Sequence, residues 1–134
     1  MQKKVTGDRR REYRHKIRID VKVIAPKSSF WAVANNISGG GMEIQTPSPV
    51  NPGTELMAAL QLQDEFVFHG TVVWTLGDYV DNQWVYRVGI KTGMIAFGNM
   101  SASTTQEKAE LVKRILPQIK ARGAEDSPLI EMSS

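Results

Sequence analysis

Between Asp8 and Arg18 the chain carries five arginines in eleven positions: Arg9, Arg10, Arg11, Arg14 and Arg18. A guanidinium is planar, permanently charged and presents paired N–H donors, so it suits phosphate oxygens and guanine edges better than a lysine ammonium does. Downstream, Asn36-Ile37-Ser38-Gly39-Gly40-Gly41 forms a polar, glycine-rich turn between two apolar segments. Asn36 and Ser38 supply donors and acceptors, and Gly41 lets backbone approach a ligand with no Cβ in the way. Taken alone, each stretch has a plainer reading, a solvated charge run and an ordinary hairpin turn. Together they read as the two halves of one split site for a ligand with both phosphate and base.

The elements that must hold such a site follow from composition and periodicity. A chain of 134 residues, 41% hydrophobic, fits one domain whose core needs no metal or disulfide to hold it. There is no cysteine, which removes thiolate metal sites, disulfides and cysteine nucleophiles. No apolar run approaches the roughly 18 residues of a membrane span, and no apolar segment follows the basic start, so a soluble, cytoplasmic protein without membrane insertion is expected. The net charge of +3 is unevenly spread: residues 1–22 hold nine Lys/Arg against three Asp/Glu, a balance of +6 that leaves −3 for the rest. The basicity belongs to the arm.

From His15 the pattern changes to strict alternation, with Ile17, Ile19, Val21 and Val23 between charged neighbours, the period of a half-buried strand. Phe30 to Asn36 reads as a second strand, Met42 to Thr46 as a third, Leu56 to Leu62 as a fourth, and Phe66 to Trp74 as a fifth with a break at Gly70. A loop over residues 77–82 then leads to a sixth, with Trp84, Tyr86, Val88 and Ile90 on one side. Short strands at this spacing predict a mainly β fold, a six-stranded antiparallel β-barrel. Beyond Thr92 the pattern lapses, until Thr104-Thr105-Gln106-Glu107 gives the spacing of a capping box. Ala109, Leu111, Val112, Ile115, Leu116 and Ile119 recur at helical spacing, with Pro117 expected to kink or end the helix and Gly123 to stop it. The organisation predicted is a flexible N-terminus over 1–8, a single domain over 9–123 with its C-terminal α-helix at about 104–122, and a disordered tail over 124–134.

Catalytic constellations are missing from the sequence. His15 and His69 stand apart with no metal-ligand spacing, there is no nucleophile elbow or Walker loop, and the paired carboxylates Asp64-Glu65 and Glu125-Asp126 fall in a turn and the tail. The chain reads as a binding protein, not an enzyme, with no cofactor and no metal.

Arg10-Arg11-Glu12-Tyr13-Arg14 fits the pattern RxxxR, and Asn36-Ile37-Ser38-Gly39-Gly40-Gly41 fits (D/N)xSxxG. In that order and at that separation the pair resembles the signature of the PilZ domain, a bacterial receptor for cyclic di-GMP. The likeness extends from residue 9 to about 92 and includes the glycine of the last strand, in Arg87-Val88-Gly89-Ile90. Arg14-His15-Lys16-Ile17-Arg18 also reads RxxxR; Arg10 and Arg14 are preferred because Arg18 falls inside the alternating strand, where the pleat fixes its direction.

The resemblance implies a PilZ-like split barrel and cyclic di-GMP as the ligand. Arg10 and Arg14 would pair with phosphate oxygens or guanine O6 and N7, or stack on the bases, while Asn36, Ser38, Gly40 and Gly41 bind from the barrel side. Arg9, Arg87 and Trp74 are secondary candidates. An arm closing over the ligand would then signal to an unidentified effector protein. The alternatives are a PilZ-like adaptor that acts by protein contact with little or no ligand binding and, less favoured, a barrel that binds single-stranded nucleic acid.

Overall fold

Alternation decides the interior. In the computed structural model, which describes residues 14–123, the first strand β1 (His15–Ile24) buries Ile19, Val21 and Val23 and turns Lys16, Arg18 and Asp20 outward. It is followed by β2 (Ser29–Ile37), β3 (Gly41–Thr46), β4 (Glu55–Gln61), β5 (Glu65–Val80), β6 (Gln83–Phe97), the short β7 (Met100–Ala102) and the helix α1 (Thr105–Gly123). The strands form one antiparallel sheet in the order β3-β2-β1-β4-β5-β6-β7, and β3 also pairs with β6. Ile37, Ile44, Leu60, Phe66, Phe68, Val72 and Val88 from five different strands meet in one fully buried core.

Three features differ from the sequence reading. The loop expected over residues 77–82 shrinks to Asp81-Asn82, both with positive φ (51° and 65°), because Asp and Asn tolerate the left-handed conformation that a two-residue hairpin with the twist of its strands demands. β5 and β6 consequently run on as a long ribbon that carries Leu76, Tyr79 and Trp84 into solvent, Trp84 being 61% exposed. Second, β6 continues beyond Thr92 to Phe97: Gly93 interrupts the pattern in the sequence, yet pairing with β5 persists and delivers Ile95 to the core. A tight turn at Gly98, φ 62°, then adds β7 as a seventh strand. Third, Pro117 lies inside α1 without ending it. The buried side chains on either side of it, Ile115 and Ile119, hold the helix against the sheet across the missing N–H.

The helix begins where the capping box predicts. Glu107 N–H donates to Thr104 Oγ1 at 3.1 Å, and Glu107 Oε1 accepts from the N–H groups of Thr104 and Ser103 at 3.2 and 3.1 Å. Those amides hold the Glu107 carboxyl below its ordinary pKa. Farther along, Asp64 N–H donates to Gln118 Oε1 and Gln118 Nε2 donates to Asp64 Oδ2, both at 2.9 Å, tying α1 to the turn between β4 and β5.

Candidate functional site

The turn after β2 is built by its own residues. Ser38 N–H donates to Gly41 O at 2.8 Å, and the Ser38 hydroxyl, in a residue only 4% exposed, accepts from the N–H groups of Gly40 and Gly41 at 3.2 and 3.1 Å. A side-chain oxygen here replaces water for two amides that no strand pairs. The glycines have separate reasons to be glycine. A Cβ on Gly41 would sit 2.5 Å from the carbonyl oxygen of Ile90, so close approach of β3 to β6 forbids one. A Cβ on Gly39 would lie 3.2 Å from the backbone nitrogen of Ala109, in the first turns of α1. Gly40 O accepts from Thr92 N–H at 2.9 Å, and Lys108 Nζ donates to Thr92 O at 2.8 Å, so strand, turn and helix are fastened together.

Register brings the arm to the same place. β1 starts opposite the end of β2, with His15 paired to Ile37 and Lys16 to Asn36, so exposed Arg14 enters the fold beside Ser38. A register shift between Lys16 and Ile19 follows at once, and Arg18 lies there, inside the strand and exposed. Arg9 and Arg10 lie outside the described residues, as do the expected flexible start and disordered tail.

Next to the turn lies a group of side chains that only partly overlaps the candidates read from the sequence. Glu43, 7% exposed, accepts from Arg87 Nε at 3.0 Å through Oε2 and from Arg87 Nη2 at 3.4 Å through Oε1. Asn36 Nδ2 donates to the same Oε1 at 3.4 Å. Burial pushes the Glu43 carboxyl up, but the hydrogen bonds and charge of Arg87, with smaller help from Asn35 and Asn36, outweigh it and hold the group below its ordinary pKa. The Arg87 guanidinium is held charged more firmly still by hydrogen bonding to Glu43. Trp74 lies across Gly89: a Cβ on that glycine would fall 2.2 Å from Cε2 of the indole. The structure thus sets Asn36, Arg87 and Trp74 on neighbouring positions of one sheet face. Glu43 was not singled out in the sequence, since an acid at an outward position of Met42-Glu43-Ile44-Gln45 reads as solvated until β3 is known to pair with β6. Among the described residues, no group of three or more His, Asp or Glu side chains is arranged to hold a metal ion, and no helix is long and apolar enough to cross a membrane.

A family model described as PilZ domain matches residues 8–112. Among solved structures, the chain is similar to the K. pneumonia MrkH–c-di-GMP complex, with a TM-score of 0.59 and 15% identity over 87% of this chain and 55% of that one. It is also similar to MrkH described as a c-di-GMP-dependent transcription regulatory factor, with a TM-score of 0.57, 15% identity, and 81% and 52% of the two chains covered. A third similar structure is K. pneumonia MrkH in its apo state, with a TM-score of 0.57, 14% identity, and 84% and 52% covered. The chain spans about half the length of these structures. No curated protein matches it.

Proposed function

The chain belongs to the PilZ domain family, and on that premise we propose that it is a receptor for cyclic di-GMP. Arg10 and Arg14 take the ligand from the arm side, and Asn36, Ser38, Gly40 and Gly41 from the turn, with Arg9, Arg87 and Trp74 as further contacts. The observation that carries this reading is the pairing of His15 with Ile37, which sets the last arginine of RxxxR beside the serine of NxSxxG although the motifs are separate in sequence. The likeness to a complex that holds c-di-GMP points the same way. We read the sheet as a closed six-stranded barrel with β7 appended, since β3 pairs with β2 on one side and β6 on the other. The turn side of the sheet forms one wall of the site, and the arm closes over the ligand against it. Closing the arm over the ligand is the signal passed to an effector protein, and binding involves no catalysis.

Calorimetric titration with cyclic di-GMP tests this. Arg14→Ala removes a charge-assisted contact without touching the core and should lower affinity by roughly tenfold to a hundredfold. Unchanged affinity would sink the assignment, and preference for an oligonucleotide with a steep salt dependence would favour the nucleic-acid reading.

One observation favours the protein-contact adaptor as a second reading. The β5–β6 ribbon exposes Leu76, Tyr79 and Trp84, an apolar group that the core does not use. A protein that ignores cyclic di-GMP yet loses its partner on Trp84→Ala would establish it.

A further inference from the structure

Directly paired residues on adjacent strands share a sheet face. One row on the outer face therefore runs Asn36, Glu43, Gly89, Trp74 across β2, β3, β6 and β5. The next row runs Val33, Gln45, Arg87, Leu76 across the same strands. Gly89 contributes no side chain, and the flat indole of Trp74 occupies the space above it. Arg87 reaches from the second row into the first and engages Glu43 side-on, through Nε at 3.0 Å and Nη2 at 3.4 Å. This use of the guanidinium turns its end edge, Nη1 with the outer Nη2 hydrogen, away from the carboxylate. Glu43 is 7% exposed while the Arg87 side chain is 43% exposed, so the acid lies beneath and the fork is presented to solvent.

Two ligand groups suit an outward arginine fork: a phosphate, and the O6/N7 edge of guanine. The carboxylate beneath cancels most of the charge that a phosphate would seek, yet it fixes the plane of the fork. A neutral pair of acceptors gains from that fixed plane and loses little from the cancelled charge. Adenine offers an amino donor where guanine has O6, so two donors would face each other. Asn36 Nδ2 lies 3.4 Å from Glu43 Oε1, which links this fork to the turn that carries the family motif.

We propose that Arg87 is a specificity-determining residue that reads O6 and N7 of one guanine of the ligand, and that Glu43 is the positioning residue that holds its fork for that contact. This rests on the cyclic di-GMP reading and adds to it the means by which guanine is told from adenine.

The test is calorimetric titration of the full chain and of Arg87→Lys and Glu43→Gln with cyclic di-GMP, cyclic di-IMP and cyclic di-AMP. The ratio of affinities within one variant cancels any general loosening of the fold. The unaltered protein should prefer cyclic di-GMP to cyclic di-AMP, and Arg87→Lys, which keeps the charge and loses the fork, should shrink that preference by roughly tenfold. Glu43→Gln should shrink it in the same direction, although Arg87 is intact. Because hypoxanthine keeps O6 and N7, Arg87→Lys should weaken cyclic di-IMP and cyclic di-GMP by the same factor. The inference is overturned if both variants keep the full preference, if the unaltered protein has none, or if the loss is confined to cyclic di-GMP, which would put the contact on the N1/N2 edge. Failure of the unaltered protein to bind cyclic di-GMP at all overturns the receptor reading itself, and this inference with it.

Discussion

Replacing Ser38 by alanine removes one oxygen from a nearly closed site, and the cost follows from what that oxygen touches. It accepts from Gly40 N–H at 3.2 Å and Gly41 N–H at 3.1 Å, and alanine leaves both amides without that partner. At about 1 kcal/mol net for each neutral hydrogen bond the loss is about 2 kcal/mol. Gly40 and Gly41 are themselves half-buried, so water can reach part of this turn and reduce the figure toward about 1 kcal/mol. With a urea slope of about 2 kcal/mol/M, the unfolding midpoint should fall by about 0.5–1 M at unchanged slope. Amide exchange at Gly40 and Gly41 should accelerate more than exchange in the β1–β4 pairing far from the turn. A midpoint coincident with the unaltered protein, together with unchanged exchange at the two glycines, would refute the view that Ser38 builds the turn. Reduced ligand affinity in this variant therefore has two sources, and only the stability measurement separates a lost contact from a loosened turn.

Gly89→Ala should drive the Trp74 indole off β6, because the new Cβ would fall 2.2 Å from the ring; a loss of about 1–3 kcal/mol and a changed near-ultraviolet dichroism are expected, and an unaltered spectrum would refute the packing described. Gln118→Ala deletes both 2.9 Å bonds to Asp64 and should cost about 1–2 kcal/mol, with faster exchange at the Asp64 amide as its local mark. Glu43 is held below its ordinary pKa of 4.5, since Arg87 outweighs the effect of burial. Its stabilising contribution is therefore complete above that value and disappears as pH falls through the lowered folded-state value. Urea midpoints followed downward from pH 6 should converge for the unaltered protein and Glu43→Gln in acid, and parallel curves would contradict the ion pair. Glu107, also lowered, is present in both proteins, so the difference between the curves isolates Glu43.

How much of this was legible beforehand depended on whether the signal was local. Alternation placed β1 to its first residue, His15, and the Thr104-x-x-Glu107 spacing placed the helix start, because both are properties of a few adjacent residues. The ends of β5 and β6 were hidden by Gly77 and Gly93, which read as breaks. Gly77 instead lies in the strand opposite the rings of Tyr86 and Trp84, at ordinary contact distance from where a Cβ would be. In the site, the Asn36 turn was recognisable by residue type, but the role of Ser38 as the turn's own acceptor was not, since a serine in such a motif looks the same whether it bonds backbone or ligand. Glu43 was invisible for a topological reason: its partner Arg87 is far along the chain and meets it only through the β3–β6 pairing. The same pairing explains Gly41, whose lack of a side chain makes sense only with β6 alongside, while the β5–β6 pairing explains Gly89, which has Trp74 alongside.

The bed on which the turn rests has a practical corollary. Gly39 lies so close to Ala109 that a methyl group would fit only tightly, Gly40 is bound to Thr92, and Thr92 is bound in turn to Lys108. Beyond these contacts Val112, Ile115 and Ile119 seal the core from the same side. A chain cut before Thr105 would not be a smaller version of the same domain. Its strands could still pair, but the turn would lose its floor and the core its cover, and a fragment chosen for its sheet alone would discard half of what shapes the motif.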